Sequence, residues 1–182
     1  MTRVLLDMAI SLDGMVSGPG GADVGLYDWY FDPSPASRPV VDELVATTGA
    51  IVLGRGAFGT GDDAGGWDDT PYHVPHFVIT HRPPPVPGGA VEFVFVPEGV
   101  RAAVERARDA AGDRLATIGG GADIARQCLA EGLVDEVQLH VVPVVAGDGP
   151  RLLDGSLAGL RLRKVRVVDA PNVTHLRYRV DR

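Results

Sequence analysis

Residues 116–153 read ATIGGGADIARQCLAEGLVDEVQLHVVPVVAGDGPRLL, with three consecutive glycines between an apolar strand and a helix. A strand that runs through a glycine turn into a helix places free backbone N–H groups and the positive end of the helix dipole at the carboxyl edge of a sheet. Because glycine adopts positive φ angles and lets a ligand approach the backbone, Gly119, Gly120 and Gly121 predict a site for a dinucleotide pyrophosphate. The alternative is a turn that only packs the helix tightly against the sheet. The spacing differs from the G-x-G-x-x-G of a Rossmann domain.

Strands and helices alternate on both sides of this stretch. Short apolar runs predict strands, and apolar residues at helical spacing predict helices. The predicted strands cover residues 3–10, 50–54, 76–80, 91–96, 115–119, 134–145, 160–170 and 174–180, and the predicted helices cover 37–48, 99–112 and 122–132. This order predicts an α/β fold with a mostly parallel central sheet, helices on both faces and an antiparallel finish.

Length and composition narrow the class of protein. With 182 residues, 45% of them hydrophobic, we expect a single domain over residues 1–182. The sequence has no apolar run of about 18 residues and no signal-peptide pattern, which predicts a soluble cytoplasmic protein without a membrane segment. A formal net charge of −7 argues against nucleic-acid binding. The single cysteine, Cys128, excludes an internal disulfide and a cysteine-rich zinc site, and its place on the apolar side of a helix predicts a packing role. No metal site is predicted.

Two further strand ends carry glycine or basic residues. In AIVLGRGAFGTG an apolar strand ends at Gly54 and is followed by Arg55, whose positive charge suits a phosphate, although a solvated arginine at a strand end is equally consistent with the pattern. In FVITHR the strand is followed by Thr80, His81 and Arg82. Hydroxyl and basic groups at such a strand end suit the 2′-phosphate of NADPH, where a site for NADH more often has an acid.

Four motifs in this order identify a family resemblance. MAISLDGMVSG, VLGRGAF, FVITHR and the stretch at 116–153 closely resemble the dihydrofolate reductase superfamily. The similarity is to the reductase domain at the carboxyl terminus of bifunctional riboflavin-biosynthesis deaminase-reductases, and it covers nearly all of residues 3–180. The ligand motifs of the zinc deaminase half do not occur in this sequence, so only the reduction step is expected.

The resemblance implies an NADPH-dependent reductase with a three-layer, dihydrofolate reductase-like fold and an eight-stranded sheet. The cofactor-binding residues that it implies are Ile10, Gly54, Arg55, Gly56, Thr80, His81, Arg82, Gly119, Gly120, Gly121 and Ala122. The chain departs from the family at Ala57, where a threonine hydroxyl is frequent, and at Met15, where lysine or arginine usually follows the S-L-D-G signature. These departures affect cofactor affinity and substrate identity.

The group that supplies a proton is the least defined part of the predicted site. Asp13 is the catalytic candidate, since it resembles the S-L-D-G aspartate that touches the substrate ribose in the riboflavin enzymes; the alternative is an Asp-Gly turn. Asp42 and Glu43 lie on the helix that carries the carboxylate of true dihydrofolate reductases, but the apolar stripe of that helix predicts that both face solvent.

The aromatic cluster YDWYF at 27–31 contains Trp29, and a second tryptophan, Trp67, follows in GGWDD. Both are candidates for the wall of the substrate cleft. The alternatives are an aromatic staple for the first and a surface loop for the second.

The predicted activity is hydride transfer from NADPH to a pteridine-like or ribosylaminopyrimidine substrate. The alternatives are a reductase of another carbonyl or imine in specialised metabolism, and a non-catalytic nucleotide-binding protein of the same fold. A homodimer is also predicted, because Pro143 interrupts the donors of a strand expected over 137–145 and members of the resembled family commonly pair through this region. The alternative is a buried strand of a monomer with a bulge at Pro143.

Overall fold

The computed structural model describes residues 2–58, 70–85 and 89–181. The strands are β1 (Val4–Ser11), β2 (Thr48–Gly54), β3 (His76–Ile79), β4 (Phe93–Val96), β5 (Leu115–Gly120), β6 (Glu136–Val142), β7 (Leu162–Ala170) and β8 (Val173–Val180). The helices are α1 (Asp28–Phe31), α2 (Arg38–Thr47), α3 (Arg55–Phe58), α4 (Val100–Ala111) and α5 (Ala122–Ala130). Within these ranges no helix has the length and apolar character needed to cross a membrane. Trp67 lies outside the described residues.

The strands form one 8-stranded sheet in the order β4-β3-β2-β5-β1-β6-β8-β7. All neighbours from β4 to β6 are parallel, whereas β8 is antiparallel to both β6 and β7. This confirms the mostly parallel sheet with an antiparallel C-terminal hairpin. Because β3, β2, β5 and β1 are parallel neighbours, their carboxyl ends lie side by side at one edge of the sheet.

Alternate residues of β1 face opposite sides of the sheet, as the two-residue repeat of a strand requires. One set packs in the main core with buried residues of α4 and α5, and it comprises Val4, Leu6, Met8 and Ile10. On the other side Leu5 packs with Val40 and Leu44 of α2, and Ala9 packs with Trp29 of α1. The helices therefore cover both faces, which confirms the three-layer arrangement.

The strands and long helices inferred from the sequence are all present, and the main difference lies at the end of β6. The predicted strand extended to Val145, but β6 ends at Val142 and Pro143 lies in the connection that follows. Proline has no N–H to donate to a neighbouring strand, so the ladder stops before it. The predicted extension of this strand through Pro143 to Val145 is wrong. The homodimer that it motivated stays a prediction, which sedimentation would test.

The single cysteine lies on the inner side of α5. Cys128 is fully buried, and burial raises the pKa of its thiol to about 12, with the charge of Glu131 adding to the effect. Such a thiol is neutral at physiological pH and is a poor nucleophile. The predicted packing role of Cys128 is confirmed.

Candidate functional site

The two glycine turns predicted from the sequence meet at the carboxyl edge of the sheet. Gly54 ends β2, and a side-chain carbon added there would lie 3.4 Å from the backbone nitrogen of Gly121 and 3.7 Å from the carbonyl oxygen of Gly120. The end of β2 is therefore in contact with the turn between β5 and α5. Any ligand that occupies one turn is also within reach of the other.

The start of α5 is open to an anion. Gly121 is the N-cap residue, with φ −86° and no side-chain cap, and a carbon added at Gly121 or at Gly56 would meet nothing within 4 Å. The first N–H groups of a helix have no partner inside the helix and lie at the positive end of its dipole. Ala122, at the first position of α5, is buried. This end of α5 therefore suits a phosphate group.

The backbone conformation at position 120 favours glycine. Its φ is +136°, in the region that favours glycine, and a carbon added there would lie 3.3 Å from Cβ of Ala57 and 3.6 Å from Sδ of Met8. Ala57, the departure from the family pattern, therefore packs against this glycine. Gly119 faces the other side of the sheet, where an added carbon would lie 3.3 Å from Cδ2 of Leu53.

Arg55 supplies a positive charge directly after Gly54. Its guanidinium carbon lies 5.7 Å from the ring centroid of Phe58. Its Nη1 atom is buried and has no acceptor among the residues that the structure describes. A buried charged donor without a partner is costly, so an anionic ligand at this edge would stabilise it.

The end of β3 places the third predicted group beside β2. Thr80 is 8% exposed; its N–H donates to the carbonyl of Val96 and its Oγ1 accepts from the N–H of Arg82 at 3.1 Å. The side chains of His81 and Arg82 are exposed. This geometry leaves both basic side chains available to a phosphate. Ile10, by contrast, is 9% exposed and belongs to the core at the end of β1.

Asp13 anchors the turn that follows β1. Its carboxylate accepts hydrogen bonds from the hydroxyl of Ser11 at 2.6 Å and from the N–H groups of Ala146 at 3.0 Å and Gly147 at 2.8 Å. The Ser11 bond first, and then the two backbone bonds, lower the pKa of Asp13 to about 2. A carboxyl group with this pKa is ionised at neutral pH and does not supply a proton. The geometry favours the turn alternative, and a catalytic role for Asp13 stays a prediction.

The S-L-D-G and G-D-G-P-R motifs hold each other together. The N–H of Val16 donates to the carbonyl of Pro150 at 3.0 Å, and the N–H of Leu152 donates to the carbonyl of Gly14 at 3.1 Å. Two of the motifs that carry the family resemblance are therefore parts of one folded unit at the end of β1.

We expect the Asp13 anchor to be pH-dependent. Its pKa is about 2 in the folded chain against an ordinary value of 3.8, so its stabilising contribution is present above the ordinary value and is lost as the pH falls toward 2. Asp13→Asn should lower the urea midpoint of unfolding at pH 7, and the difference from the unmodified chain should shrink at acidic pH. A difference that does not change with pH would show that the charge of Asp13 is unimportant.

Trp29 lies inside the protein rather than on a cleft wall. It is 5% exposed, its Nε1 donates to the carbonyl of Leu26 at 2.8 Å, and its ring centroid lies 4.2 Å from that of His140 and 4.8 Å from that of His175. These contacts favour the staple alternative. A role of Trp29 in substrate binding stays a prediction.

A buried chain of polar side chains, which was not predicted from the sequence, lies beneath Trp29. His140 Nε2 lies 2.9 Å from Oδ1 of Asp7, the Nδ1 atoms of His140 and His175 are 2.6 Å apart, and His175 Nε2 lies 3.0 Å from Oγ of Ser37. Burial, and then His140, lower the pKa of His175 to about 4, so its ring is neutral. The signal in the sequence was Asp7, an acid inside the apolar run RVLLDMAI.

Glu43 does not lie on a solvated helix face. It forms ion pairs with Arg166 and, at 2.9 Å, with Arg177, whereas Asp42 is exposed. The prediction that both acids face solvent is therefore wrong for Glu43. The long side chain of Glu43 reaches past the apolar stripe of α2 to the arginines of β7 and β8.

A cleft of about 570 Å³ lies at the opposite, amino edge of the sheet, lined by Thr2, Arg3, Glu43, Ala46, Thr47, Gly112, Asp113, Arg114, Leu115 and Arg177. Two of its cations are already paired, since Arg3 contacts Glu136 at 2.7 Å and Arg177 contacts both Glu43 and Glu136. The carboxyl edge, where the buried Nη1 of Arg55 has no hydrogen-bond partner among the described residues and the helix N–H groups are open, is the stronger site for an anionic cofactor.

Comparison with known families identifies the family of this chain. The family model described as the RibD C-terminal domain matches residues 2–176. The chain belongs to this family. Members of the RibD C-terminal domain family thus share nearly the whole of the fold described above.

Individual relatives of the RibD C-terminal domain are distant in sequence. The uncharacterized protein YwjB of Bacillus subtilis (strain 168) is 25% identical over 153 residues, which cover 81% of this chain and 80% of YwjB. A solved structure from Shewanella sp. PV-4, ascribed to riboflavin biosynthesis, has a TM-score of 0.72 at 22% identity, with 100% of both chains covered.

Two further solved structures share the fold. The Thermotoga maritima diaminohydroxyphosphoribosylaminopyrimidine deaminase/5-amino-6-(5-phosphoribosylamino)uracil reductase has a TM-score of 0.68 at 16% identity, covering 99% of this chain and 57% of that chain. Enterococcus faecalis dihydrofolate reductase, solved with NADP(H), has a TM-score of 0.61 at 15% identity, covering 99% and 97%. The fold is therefore dihydrofolate reductase-like.

Proposed function

We propose that this chain is an NADPH-dependent reductase of a pteridine-like or ribosylaminopyrimidine substrate, with 5-amino-6-(5-phosphoribosylamino)uracil as the first candidate. Membership of the RibD C-terminal domain family indicates an oxidoreductase of the riboflavin-pathway type. The Thermotoga relative supports the choice of pyrimidine, and the Enterococcus relative supports the choice of cofactor.

The observation that carries the proposal is the convergence of anion-binding groups at one edge. Gly54 contacts Gly121 at the open start of α5. The next residue, Arg55, contributes a buried Nη1 that has no hydrogen-bond partner in the described part of the chain. These groups would hold the pyrophosphate, and His81 and Arg82 would hold the 2′-phosphate. Bound NADPH would supply a hydride to an electrophilic carbon. The chain's part is to fix the cofactor and substrate against each other and to manage one proton.

The activity is tested by following NADPH oxidation with purified 5-amino-6-(5-phosphoribosylamino)uracil. We expect substrate-dependent oxidation with one equivalent of reduced product for each NADPH consumed. Binding of NADPH without oxidation would redirect the search to other imines or carbonyls, and a chain that binds no NADPH would contradict the proposal.

Arg82→Ala should narrow the preference for NADPH over NADH. The unmodified chain is expected to bind NADPH more tightly, because the exposed guanidinium of Arg82 can pair with the 2′-phosphate that NADH lacks. Its removal should reduce the difference by roughly 1–3 kcal/mol, the size of a charged hydrogen bond. The measurement is a fluorescence titration with each cofactor. The matched control is Arg161→Ala, at an exposed site before β7. Equal binding of both cofactors by the unmodified chain would overturn the assignment of His81 and Arg82 to the 2′-phosphate.

A further inference from the structure

Asp7 lies beside the glycine turn, on the face of the sheet that carries α1 and α2. In the pairing of β1 with β5, Leu6 is opposite Ile118, so the next step of the register places Asp7 beside Gly119. On its other side Asp7 is paired with Gln138 of β6. Its side chain is 19% exposed. An ionisable group thus lies one strand away from the turn at which the cofactor is proposed to bind.

One oxygen of the Asp7 carboxyl group is held and the other is not. Oδ1 lies 2.9 Å from Nε2 of His140 and accepts from Nε2 of Gln138 at 3.1 Å. No described residue forms a hydrogen bond with Oδ2. The carboxyl group is therefore fixed in orientation and keeps one oxygen for a ligand.

Hydrogen bonds behind Asp7 hold its carboxyl group in place. When the carboxylate is charged, Nε2 of His140 donates to it. Nδ1 of His140 and Nδ1 of His175 lie 2.6 Å apart and share one hydrogen. Nε2 of His175 lies 3.0 Å from Oγ of Ser37, which completes the chain. Both rings are buried, at 1% and 3% exposure. Each of these residues contacts the next, from Asp7 to Ser37. In the described part of the chain no group of acids, histidines or cysteines is placed to hold a metal ion.

Three phenols lie near enough to Asp7 for its charge to act on them. Burial raises the pKa of Tyr27 to about 12, and the charge of Asp7 adds to this rise. Tyr27 as a whole is 41% exposed, so the burial applies to its hydroxyl end. Burial also raises the pKa of Tyr30 and of Tyr72, with Asp7 among the further causes. All three phenols are neutral at physiological pH, and Asp7 supplies the carboxyl group beside them.

We propose that Asp7 is the acid that protonates the substrate during reduction, and that His140, His175 and Ser37 are positioning residues that hold its carboxyl group. This inference rests on the proposed function. The hydride adds to the carbon of a C=N or C=O bond, and the π electron pair moves to the nitrogen or oxygen. In the protonated form of Asp7, the proton on Oδ2 would bond to that atom and leave the carboxylate, which solvent reprotonates through its exposed side. The polar and titratable groups that face Asp7 are Gln138, His140, Tyr27, Tyr30 and Tyr72, and His175 and Arg166 lie behind them.

The first test compares Asp7→Asn with the unmodified chain. The amide keeps an acceptor for His140 but cannot give an acidic proton, so we expect kcat to fall about 100-fold or more, the usual contribution of a general acid, with NADPH affinity unchanged. A reaction that requires an acid slows as the pH rises, and this fall in rate should be absent in Asp7→Asn. His140→Gln should shift the pH at which half of the rate is lost. Glu136→Gln, which removes a buried carboxylate of the neighbouring strand β6, should lower stability without changing the profile.

A second measurement does not need turnover. The carbon-13 carboxyl resonance of Asp7, assigned by its absence in Asp7→Asn, should shift when the chain is saturated with NADPH, whereas that of Asp181 on the far hairpin should not. The role of Asp7 alone would be overturned by either of two results. One is normal NADPH binding without a shift of the Asp7 resonance, and the other is an Asp7→Asn variant whose kcat and pH profile are unchanged. Failure to bind NADPH would instead contradict the proposed function.

Discussion

Gly121→Asp should weaken NADPH binding about 100-fold or more and leave the chain as stable as before or slightly more stable. Aspartate is a favoured N-cap, whose side chain accepts from the first N–H groups of the helix. The backbone at Gly121 has a φ of −86° that any residue adopts, and an added carbon meets nothing within 4 Å. The same carboxylate would occupy the N–H groups proposed for the pyrophosphate and repel its charge. Binding and stability should therefore change in opposite directions.

Gly121→Ser is the matched control, because serine also caps a helix but is small and neutral. It should keep most of the stability gain and more of the NADPH affinity, as measured by thermal unfolding and fluorescence titration. Unchanged NADPH affinity in Gly121→Asp would place the cofactor elsewhere. Gly120 is less suitable for this test, since its φ of +136° and the contact with Ala57 make any substitution strained.

Gly49→Ala should lower the free energy of unfolding by roughly 2–3 kcal/mol, in the upper part of the range for overpacked sites. An added carbon would lie 2.6 Å from the carbonyl oxygen of Ala111 and 2.8 Å from Cβ of Arg114. Gly49 also lies at a register shift between β2 and β5, where Thr48 pairs with Leu115 and the next pair begins at Ala50. Substitution would force the end of α4 away from β2 and disturb the pairing that brings the two glycine turns together.

Urea unfolding measures this effect, and Gly155→Ala is its control because an added carbon there meets nothing within 4 Å. We expect the control to remain within a few tenths of a kcal/mol of the unmodified chain, as surface substitutions usually do. Equal stability of Gly49→Ala and Gly155→Ala would show that the contact with α4 relaxes without cost.

The parts of the site that could be predicted from the sequence are those with a local signal. A glycine turn between a strand and a helix is written in consecutive residues, and parallel strands bring such turns to one edge. The turns at Gly54 and Gly121 were found in this way. Pro143 was misplaced because an apolar run does not show where a strand ends.

The polar chain of Asp7 could not be found from local patterns. Asp7 and His140 are separated by 133 positions in the sequence, and His140 and His175 by 35. Their contact depends on the register of β1 with β6 and of β6 with β8, which no short pattern specifies. Trp29 was similarly ambiguous, because an aromatic residue in a polar loop suits a cleft wall or a core equally well until its neighbours are known.

A crystal structure of the chain with NADPH tests the central claim most directly. We expect the pyrophosphate at the start of α5, within hydrogen-bond distance of Arg55. We expect the nicotinamide near Gly119, on the face of the sheet that carries Asp7. Two results would contradict this placement of the cofactor. One is NADPH in the arginine-lined cleft at the opposite edge, near Arg3 and Arg114, and the other is a crystal soaked at saturating NADPH that shows no bound cofactor.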